Sequence, residues 1–426
     1  MGPPPSDGTR FDGEPFDRVA FDRVVREVRP LAEAFAAAGH RVYLVGGIVR
    51  DLIAGRQRDA PDIDLTTDAT PDEIERVLDG RVDALWKQGA RFGTIGCRLG
   101  GRVFEITTHR SEAYLSESRK PIVTFSRLVE DDLARRDFTV NAMAMSIPDG
   151  ELIDPFDGRH DLVARVLRTP LAPAVSLSDD PLRMLRAARF VAGYALLPES
   201  ETEAAIGALR DRLAIVSRER VRDELDKLLS VPDPMAGFAL LRRTALLGEF
   251  IPELAGIDDA SLELVRDVDG LTRRRAALFL PITDRSAARA RARALKYSAN
   301  EIDSIRAVLS AIDSLRMLDP VDPPGVRRLV RATAPLLDDA LALAHALSDP
   351  RAAAVSAMIE RLSAVEDLHR LEPELDGDEV QQLLGIAEGR DVGDALAFLL
   401  DLRLAEGVLG PDEARRRLRQ WWRDRP

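Results

Sequence analysis

The chain has 426 residues, of which 45% are hydrophobic and 31% charged, the balance of a globular protein with roughly two to four domains. No apolar run reaches bilayer-spanning length, the N-terminus lacks the features of a secretory signal, and Cys97 is the single cysteine. We therefore predict a cytoplasmic protein with no membrane segment and no disulfide scaffold. The net charge of −12 gives no overall attraction to RNA, although local arginine clusters occur.

The first forty-five residues predict a tail, a helix and a strand. Residues 1–14 are rich in proline and polar residues, so we predict a disordered tail there. Residues 15–40 carry apolar side chains at helical spacing. The apolar run at residues 42–45 predicts a buried strand.

A glycine pair follows this strand, and two aspartates follow a polar loop. Gly46 and Gly47, between a strand and a helix, let backbone N–H groups approach an anion, and Arg50 would add a fixed cation. Asp62 and Asp64 flank one apolar residue in a second predicted strand, so their carboxylates project to the same side. Two neighbouring carboxylates repel unless cations bridge them, which is the arrangement that two Mg²⁺ ions need for phosphoryl or nucleotidyl transfer.

In this order and spacing, the glycine pair and the two aspartates resemble the head-domain signature of the tRNA nucleotidyltransferases and bacterial poly(A) polymerases. That family belongs to the DNA-polymerase-β-like nucleotidyltransferases. The resemblance implies an α+β fold, with a mixed sheet and helices in the head followed by an all-α neck, body and tail. We predict the head at residues 15–168, the neck with its nucleotide-reading helix at 169–236, and a tRNA-binding body and tail at 237–426.

Further strands complete the predicted head. Strand-like runs recur at residues 81–85, 94–99 and 102–108, and a glycine pair joins the last two as a hairpin. In the family a third carboxylate comes from a strand beside the aspartate strand. Glu105 is the candidate for it, and a surface strand carboxylate is the alternative. The polar segment 111–125 lacks periodicity, and the resemblance implies a flexible loop that gates the change between incoming nucleotides.

The string RRDFTVNAMA, residues 135–144, is similar to the family's second motif. Arg135 and Arg136 are predicted to bind triphosphate. Asp137 is predicted to accept a hydrogen bond from a ribose hydroxyl, which would separate ribonucleotides from deoxyribonucleotides. A basic pair at a helix is otherwise ordinary surface decoration, and the length of the match argues against that reading here.

Residues 176–194 predict one helix with four charged residues at intervals of three: Asp180, Arg183, Arg186 and Arg189. Aspartate only accepts hydrogen bonds and arginine only donates them, so a base must present an amino group beside a ring acceptor. Cytosine and adenine do so, whereas uracil and guanine present the opposite polarity. Asp180 and Arg183 would thus select C and A without a nucleic-acid template, by roughly a thousandfold. The resemblance implies that Arg186 and Arg189 also contact the nucleotide.

The remainder reads as helical, and residues 375–396 resemble the family's tail motif, which meets the tRNA backbone. Many relatives carry a C-terminal phosphohydrolase domain of the HD type. Here His160–Asp161 is the sole HD pair among five histidines. We therefore predict that this domain and its metal site are absent.

The predicted function is addition of CCA to the 3′ end of tRNA from CTP and ATP, with release of pyrophosphate. Two Mg²⁺ ions are predicted, held by Asp62 and Asp64, and no protein partner is evident. A poly(A) polymerase, or a partial enzyme adding only CC or only A, remains an alternative because these enzymes share the motifs. A non-catalytic RNA-binding relative is the more distant alternative.

Overall fold

The computed structural model of the protein describes residues 10–11, 14–15, 18–56, 63–113 and 122–425. The chain divides into two compact units, residues 1–255 and 256–426, and each is described by itself. Within the predicted N-terminal tail, the described residues form a two-residue antiparallel ladder with Glu14–Pro15. The rest of residues 1–14 lies outside the described part of the chain.

The strands of the first unit are β1 (Arg10–Phe11), β2 (Glu14–Pro15), β3 (Val42–Val45), β4 (Ile63–Thr67), β5 (Ala84–Trp86), β6 (Thr94–Leu99), β7 (Arg102–Thr108), β8 (Arg110–Ala113), β9 (Ile122–Phe125), β10 (Ala144–Ser146), β11 (Leu152–Ile153), β12 (Val166–Leu167) and β13 (Leu197–Pro198). Its helices are α1 (Arg18–Ala37), α2 (Gly47–Ile53), α3 (Pro71–Leu78), α4 (Val129–Ala134), α5 (Gly158–Ala164), α6 (Pro173–Asp179), α7 (Leu182–Tyr194), α8 (Ser200–Leu209), α9 (Arg218–Leu229), α10 (Met235–Arg243) and α11 (Leu247–Phe250).

A seven-stranded sheet in the order β11-β10-β3-β4-β7-β6-β5 organises this unit. Strands β4 and β7 are parallel, and the other neighbouring pairs are antiparallel. One face is apolar because alternate side chains of each strand point the same way. Helices α1, α2 and α3 supply apolar side chains to the same core as β4, β6 and β7. The other face carries the polar residues of these strands.

Several predicted elements agree with the structure residue for residue. The predicted strands at 42–45, 94–99 and 102–108 are β3, β6 and β7. Helix α3 begins after Thr70, whose hydroxyl and backbone N–H both bind the Glu73 carboxylate. The strand predicted at 81–85 is displaced to Ala84–Trp86.

The structure corrects the prediction of an irregular segment at 111–125. Its two ends are strands β8 and β9, which pair with each other in antiparallel register. The polar sequence hides them because a two-stranded ladder needs no buried face to satisfy its backbone hydrogen bonds. The centre of the predicted gating loop, residues 114–121, lies outside the described residues.

The second unit is built from helices, and its described residues contain no strand. They are α12 (Asp259–Asp267), α13 (Leu271–Phe279), α14 (Arg285–Ala294), α15 (Ala299–Arg316), α16 (Pro323–Thr333), α17 (Leu337–Ala346), α18 (Pro350–Ser363), α19 (Gly377–Leu384), α20 (Arg390–Glu406) and α21 (Pro411–Arg423). Part of the arginine-rich sequence faces inward, since Arg327 and Arg403 both bind the buried Glu366 carboxylate. Trp421 stacks on Phe398 with ring centroids 4.9 Å apart and packs against the core of this unit.

In the predicted tail motif, Asp376 caps α19 and accepts a hydrogen bond from the Glu379 N–H at 2.9 Å. Gly389 begins α20. A search of the described helices finds none with the length and apolarity to cross a bilayer. The mixed sheet in the first unit and the helices after it confirm the predicted α+β fold class.

Candidate active site

Two of the predicted catalytic carboxylates lie side by side on the polar face of the sheet. Asp64 in β4 is the register partner of Glu105 in β7. Neighbouring strands are about 4.8 Å apart, and register partners point to the same face. Asp64 is half-buried and Glu105 is exposed, so both carboxylates are accessible from this face. Asp62 lies outside the described residues, and its role stays a prediction.

The glycine pair lies against one of the predicted phosphate-binding arginines. Gly46 has a φ of +76°, a conformation that glycine adopts at little cost, and Gly47 begins α2. A Cβ atom at Gly46 would lie 2.7 Å from Nη1 of Arg136, so any side chain there would displace this guanidinium. Nε of Arg136 is buried without a hydrogen-bond partner, which leaves a donor for an anion.

One buried carboxylate orients both arginines of the RRDFTVN motif. Asp132 accepts from Nη2 of Arg135 at 2.6 Å and from Nη2 of Arg136 at 3.0 Å. Burial raises the pKa of Asp132, but the two guanidinium groups outweigh it and hold that pKa below its ordinary value. Sequence reasoning missed Asp132, although its spacing of three and four residues from the arginines on a helix was a usable signal.

Arg50, the predicted fixed cation, is buried and bound by protein groups. Its side chain is 6% exposed, and four of its five donors bind Asp51, Asn141 and Tyr194. The guanidinium also stacks on the Tyr194 ring, 4.1 Å from its centroid. Arg50 therefore joins α2 to α7, and its contact with an anion stays a prediction.

Asp137 is likewise occupied by the protein. Oδ1 accepts from the Phe138 N–H and from Asn141, both at 2.9 Å, and Oδ2 accepts from two nitrogens of Arg186 at 2.8 and 2.6 Å. These four bonds fill the acceptor positions of a carboxylate. Burial raises the pKa of Asp137, but Arg186 and Asn141 outweigh it and lower that pKa strongly. The predicted bond to a ribose hydroxyl has no acceptor position left here.

Arg186 and Arg189 converge on a carboxylate that the sequence analysis did not select. Glu224 in α9 is 3% exposed and accepts from Arg186 at 3.3 Å and from Arg189 at 2.8 Å. Together with the preceding bonds, this forms a continuous path, which we call the head–neck network: Arg50, Asn141, Asp137, Arg186, Glu224 and Arg189. The sequence gives only a weak signal for this network, because its partners lie dozens of residues apart, except for Asn141 and Asp137.

The single helix predicted at 176–194 is wrong, because Pro181 divides it. Asp180 is the C-terminal cap of α6 with extended backbone angles, as expected for a residue before proline. Arg183, Arg186 and Arg189 belong to α7. The main-chain oxygen of Asp180 accepts from the Arg183 N–H at 3.0 Å, so the predicted base-reading residues stay one turn apart.

Asp180 and Arg183 both keep unused hydrogen-bonding positions. The Asp180 side chain is 22% exposed and accepts from the Leu182 N–H and from Arg220. Arg183 is nearly buried and uses two nitrogens to bind Ser176 and the Arg135 carbonyl. A carboxylate with two of about four acceptor positions used, beside a guanidinium with spare donors, has the polarity that the sequence predicts for base reading.

The HD pair forms part of the scaffold. Asp161 is buried and accepts from Thr139 at 2.6 Å and from Arg168 at 2.5 Å, whereas His160 is exposed. Among the described residues, no group of three or more His, Cys, Asp or Glu side chains has the spacing of a metal site.

Two family models match the first unit. Residues 42–168 match the poly A polymerase head domain, and residues 196–257 match the probable RNA and SrmB-binding site of polymerase A. The first match contains Asp64, Glu105, Gly46 and Arg136. It therefore covers the strands, the glycine turn and the arginine pair described above.

Curated relatives carry the same kind of sequence. The chain is 37% identical to the CCA-adding enzyme of Bacillus velezensis over 256 residues, 59% of this chain and 63% of the relative. It is 36% identical to the CCA-adding enzyme of Geobacillus kaustophilus over 285 residues, 65% of this chain and 68% of the relative. Several other matched relatives are spanned over little more than half of their length, as with 54% for that of Lactiplantibacillus plantarum.

Solved structures extend the likeness to both units. The CCA-adding enzyme of Bacillus stearothermophilus in complex with CTP has a TM-score of 0.77 at 27% identity, covering 95% of this chain and 98% of that one. The Thermotoga maritima enzyme complexed with tRNA shares the fold, with a TM-score of 0.68 at 23% identity, covering 94% of this chain and 96% of that one. The chain belongs to the family of CCA-adding enzymes.

Proposed function

We propose that this protein adds CCA to the 3′ end of tRNA, taking CTP and ATP without a nucleic-acid template and releasing pyrophosphate. The pairing of Asp64 with Glu105 beside the Gly46 turn carries the proposal, because it unites a metal-ligand face with an anion-binding turn. Relatives named as CCA-adding enzymes support the choice of reaction. The proposed substrate, tRNA, places the activity in the cytoplasm.

The carboxylates fit Mg²⁺, which prefers oxygen ligands and keeps part of its water shell. We propose that Asp64, Glu105 and Asp62 hold two ions. When bound, these ions would lower the pKa of the attacking hydroxyl and neutralise charge on the leaving pyrophosphate. The exposure of Glu105 and the partial exposure of Asp64 support this, since an ion at the polar face of the sheet can approach both.

The remaining predicted residues divide into nucleotide-binding and positioning groups. We propose that Arg136, with its unpaired Nε, and Arg135 bind the triphosphate beside Gly46 and Gly47. Arg50, Asp137, Arg186 and Arg189 act as positioning residues within the head–neck network. Their contacts join α2 to α7, Asp137 to α7, and α7 to α9.

We propose that Asp180 and Arg183 select the base. Their polarity matches the amino group and ring nitrogen of C and A, and it opposes the carbonyl and N–H of U and G. Arg220 holds the Asp180 carboxylate at 3.1 Å, which fixes the acceptor without filling it. A mismatched base would leave two polar groups without partners, at a cost of about 1–3 kcal/mol each.

Replacing Asp180 by Ala is expected to admit UTP, because the acceptor that rejects a carbonyl is lost. CTP use should fall by about 1–3 kcal/mol in transition-state terms. Incorporation of each labelled nucleotide into tRNA lacking CCA measures both effects. The exposed Asp211→Ala serves as the matched aspartate control and should keep normal selectivity. Unchanged selectivity in Asp180→Ala, or equal loss of every nucleotide, would remove Asp180 from base reading.

The proposed reaction is tested directly with tRNA that ends before CCA and with each labelled NTP in turn. We expect CMP to be added twice and AMP once, with UMP and GMP excluded. Long runs of AMP would instead identify a poly(A) polymerase, and products stopping after CC or starting only from CC would identify a partial enzyme. RNA binding with no incorporation would identify the non-catalytic alternative.

A further inference from the structure

A row of four register partners crosses the sheet at the candidate active site. Trp86 of β5 pairs with Gly96 of β6, Gly96 with Glu105 of β7, and Glu105 with Asp64 of β4. Register partners on neighbouring strands point to the same face. The Trp86 indole therefore lies on the face that carries both carboxylates.

The absence of a side chain at Gly96 leaves room for the Trp86 indole. A Cβ atom at Gly96 would lie 2.0 Å from Nε1 and 2.2 Å from Cε2 of Trp86, so the ring lies directly over this glycine. Its neighbour Leu85 packs against the core on the opposite face. Trp86 is only half-buried, which leaves part of a flat aromatic surface accessible beside Glu105.

The strand order gives the site two sides. Gly46 follows β3 and contacts Arg136, on one side of the carboxylate strands β4 and β7. Trp86 lies on the other side, on β5. In-line transfer requires the attacking and leaving oxygens to lie on opposite sides of the phosphorus. With the triphosphate at Gly46 and Arg136, the RNA 3′-hydroxyl must approach from the side of β6 and β5.

We propose that Trp86 is a stacking platform for the 3′-terminal base of the acceptor RNA, an assignment that rests on the proposed function. At about 4.8 Å per strand, Gly96 lies about 5 Å from the Glu105 strand and about 10 Å from the Asp64 strand. A single nucleoside bridges this interval, with its base on the indole and its 3′ oxygen at the carboxylates. Because every base has a π face, the platform accepts each newly added nucleotide as the next terminus.

Replacing Trp86 by Ala is expected to lower kcat/KM for the RNA about tenfold or more, while KM for CTP stays unchanged. Trp86→Phe should keep most of the activity, since it keeps an aromatic ring. Leu85→Ala is the matched control on β5. An equal loss of kcat/KM in Leu85→Ala would assign the effect to a loosened strand and overturn the proposal.

An RNA whose 3′-terminal nucleotide lacks its base separates stacking from scaffold effects. For the wild-type protein, kcat/KM should be about tenfold lower with this RNA than with intact RNA. Trp86→Ala should show no further decrease in kcat/KM, because both changes remove the same interaction. Independent, multiplying losses would overturn the assignment.

Fluorescence provides a readout that needs no turnover. The chain has three tryptophans, so replacing Trp421 and Trp422 by Phe leaves Trp86 as the sole emitter. Intact RNA should quench its emission, and the RNA without a terminal base should not. Equal quenching by both RNAs, or none by either, would overturn the platform. If the wild-type protein incorporates no nucleotide, the proposed function is wrong. The fluorescence result would still show whether Trp86 stacks on the terminal base.

Discussion

Asp64→Asn is expected to abolish incorporation of every nucleotide, by roughly a thousandfold or more, while the fold is retained. Asp64 lies on the accessible face of β4 and is the register partner of Glu105. A neutral amide there removes charge that a pair of Mg²⁺ ions requires, and such ions contribute several kcal/mol to transition-state stabilisation. Incorporation of labelled CMP and AMP at saturating Mg²⁺ measures the loss, and circular dichroism checks the fold.

The matched control is Asp68→Asn, just beyond the other end of the same strand. Asp68 accepts from the Arg41 N–H at 3.0 Å, a bond that an asparagine keeps, so activity should stay near wild type. If Glu105 is the third carboxylate, Glu105→Gln should lose as much activity as Asp64→Asn. If Glu105 is a surface residue, Glu105→Gln should keep activity near wild type, as Asp68→Asn does. If Asp64→Asn retains more than about 1% of the activity, Asp64 is not a ligand of the catalytic metal ions.

The second large effect is expected on stability, from Glu224→Gln. Glu224 is 3% exposed and binds Arg186 and Arg189, whose side chains are 30% and 19% exposed. Removing one member of a buried ion cluster costs about 3–5 kcal/mol. Because solvent screens the two partly exposed arginines, we expect the free energy of unfolding to fall by about 3 kcal/mol, the lower end of this range. Urea unfolding followed by Trp86 emission, with Trp421 and Trp422 replaced by Phe, measures it.

The pH dependence of this loss has a definite sign. Burial raises the pKa of Glu224, but Arg189 and Arg186 outweigh it and hold that pKa below its ordinary value of 4.5. A lowered pKa in the folded state stabilises the protein above 4.5, and this contribution disappears as the pH falls further. The difference between wild type and Glu224→Gln should therefore be complete at neutral pH and shrink in acid.

Glu219→Gln provides the comparison, since Glu219 is an exposed carboxylate in the first turn of the same helix. Its effect should stay within about 0.5 kcal/mol. Equal losses in the two variants would attribute the effect to the charge of α9 as a whole. No loss in Glu224→Gln would show that the arginines need no buried partner.

Local sequence was enough to predict the elements that carry the carboxylates. Strand β7, which carries Glu105, and its neighbours β3 and β6 in the same sheet follow from short apolar runs bounded by glycine. The pairing of Asp64 with Glu105 was reachable only through family resemblance. Strand order depends on contacts between distant residues, which the periodicity of one strand does not encode.

The partners of the buried charged residues could not be predicted from the sequence. Arg50 and Asp137 have the chemistry of ligand-binding groups, and their letters do not reveal that Asn141, Tyr194 and Arg186 occupy them. The undivided helix predicted at 176–194 is an error that a local rule explains, because Pro181 excludes the preceding residue from helical angles. Glu224 and Asp132 were missed because a charged residue is ordinarily expected at the surface.

The head–neck network also limits where the chain can be divided into stable fragments. A cut at residue 168, where the head family match ends, would separate Asp137 from Arg186 and Arg50 from Tyr194. The N-terminal fragment would keep the buried Asp137 carboxylate without Arg186, so we expect the sheet to be unstable when it is expressed alone. Chimeras between relatives should therefore exchange Arg50, Asn141, Asp137, Arg186 and Glu224 as one set, because changing one member of a buried charge network alone costs more than changing it together with its partners.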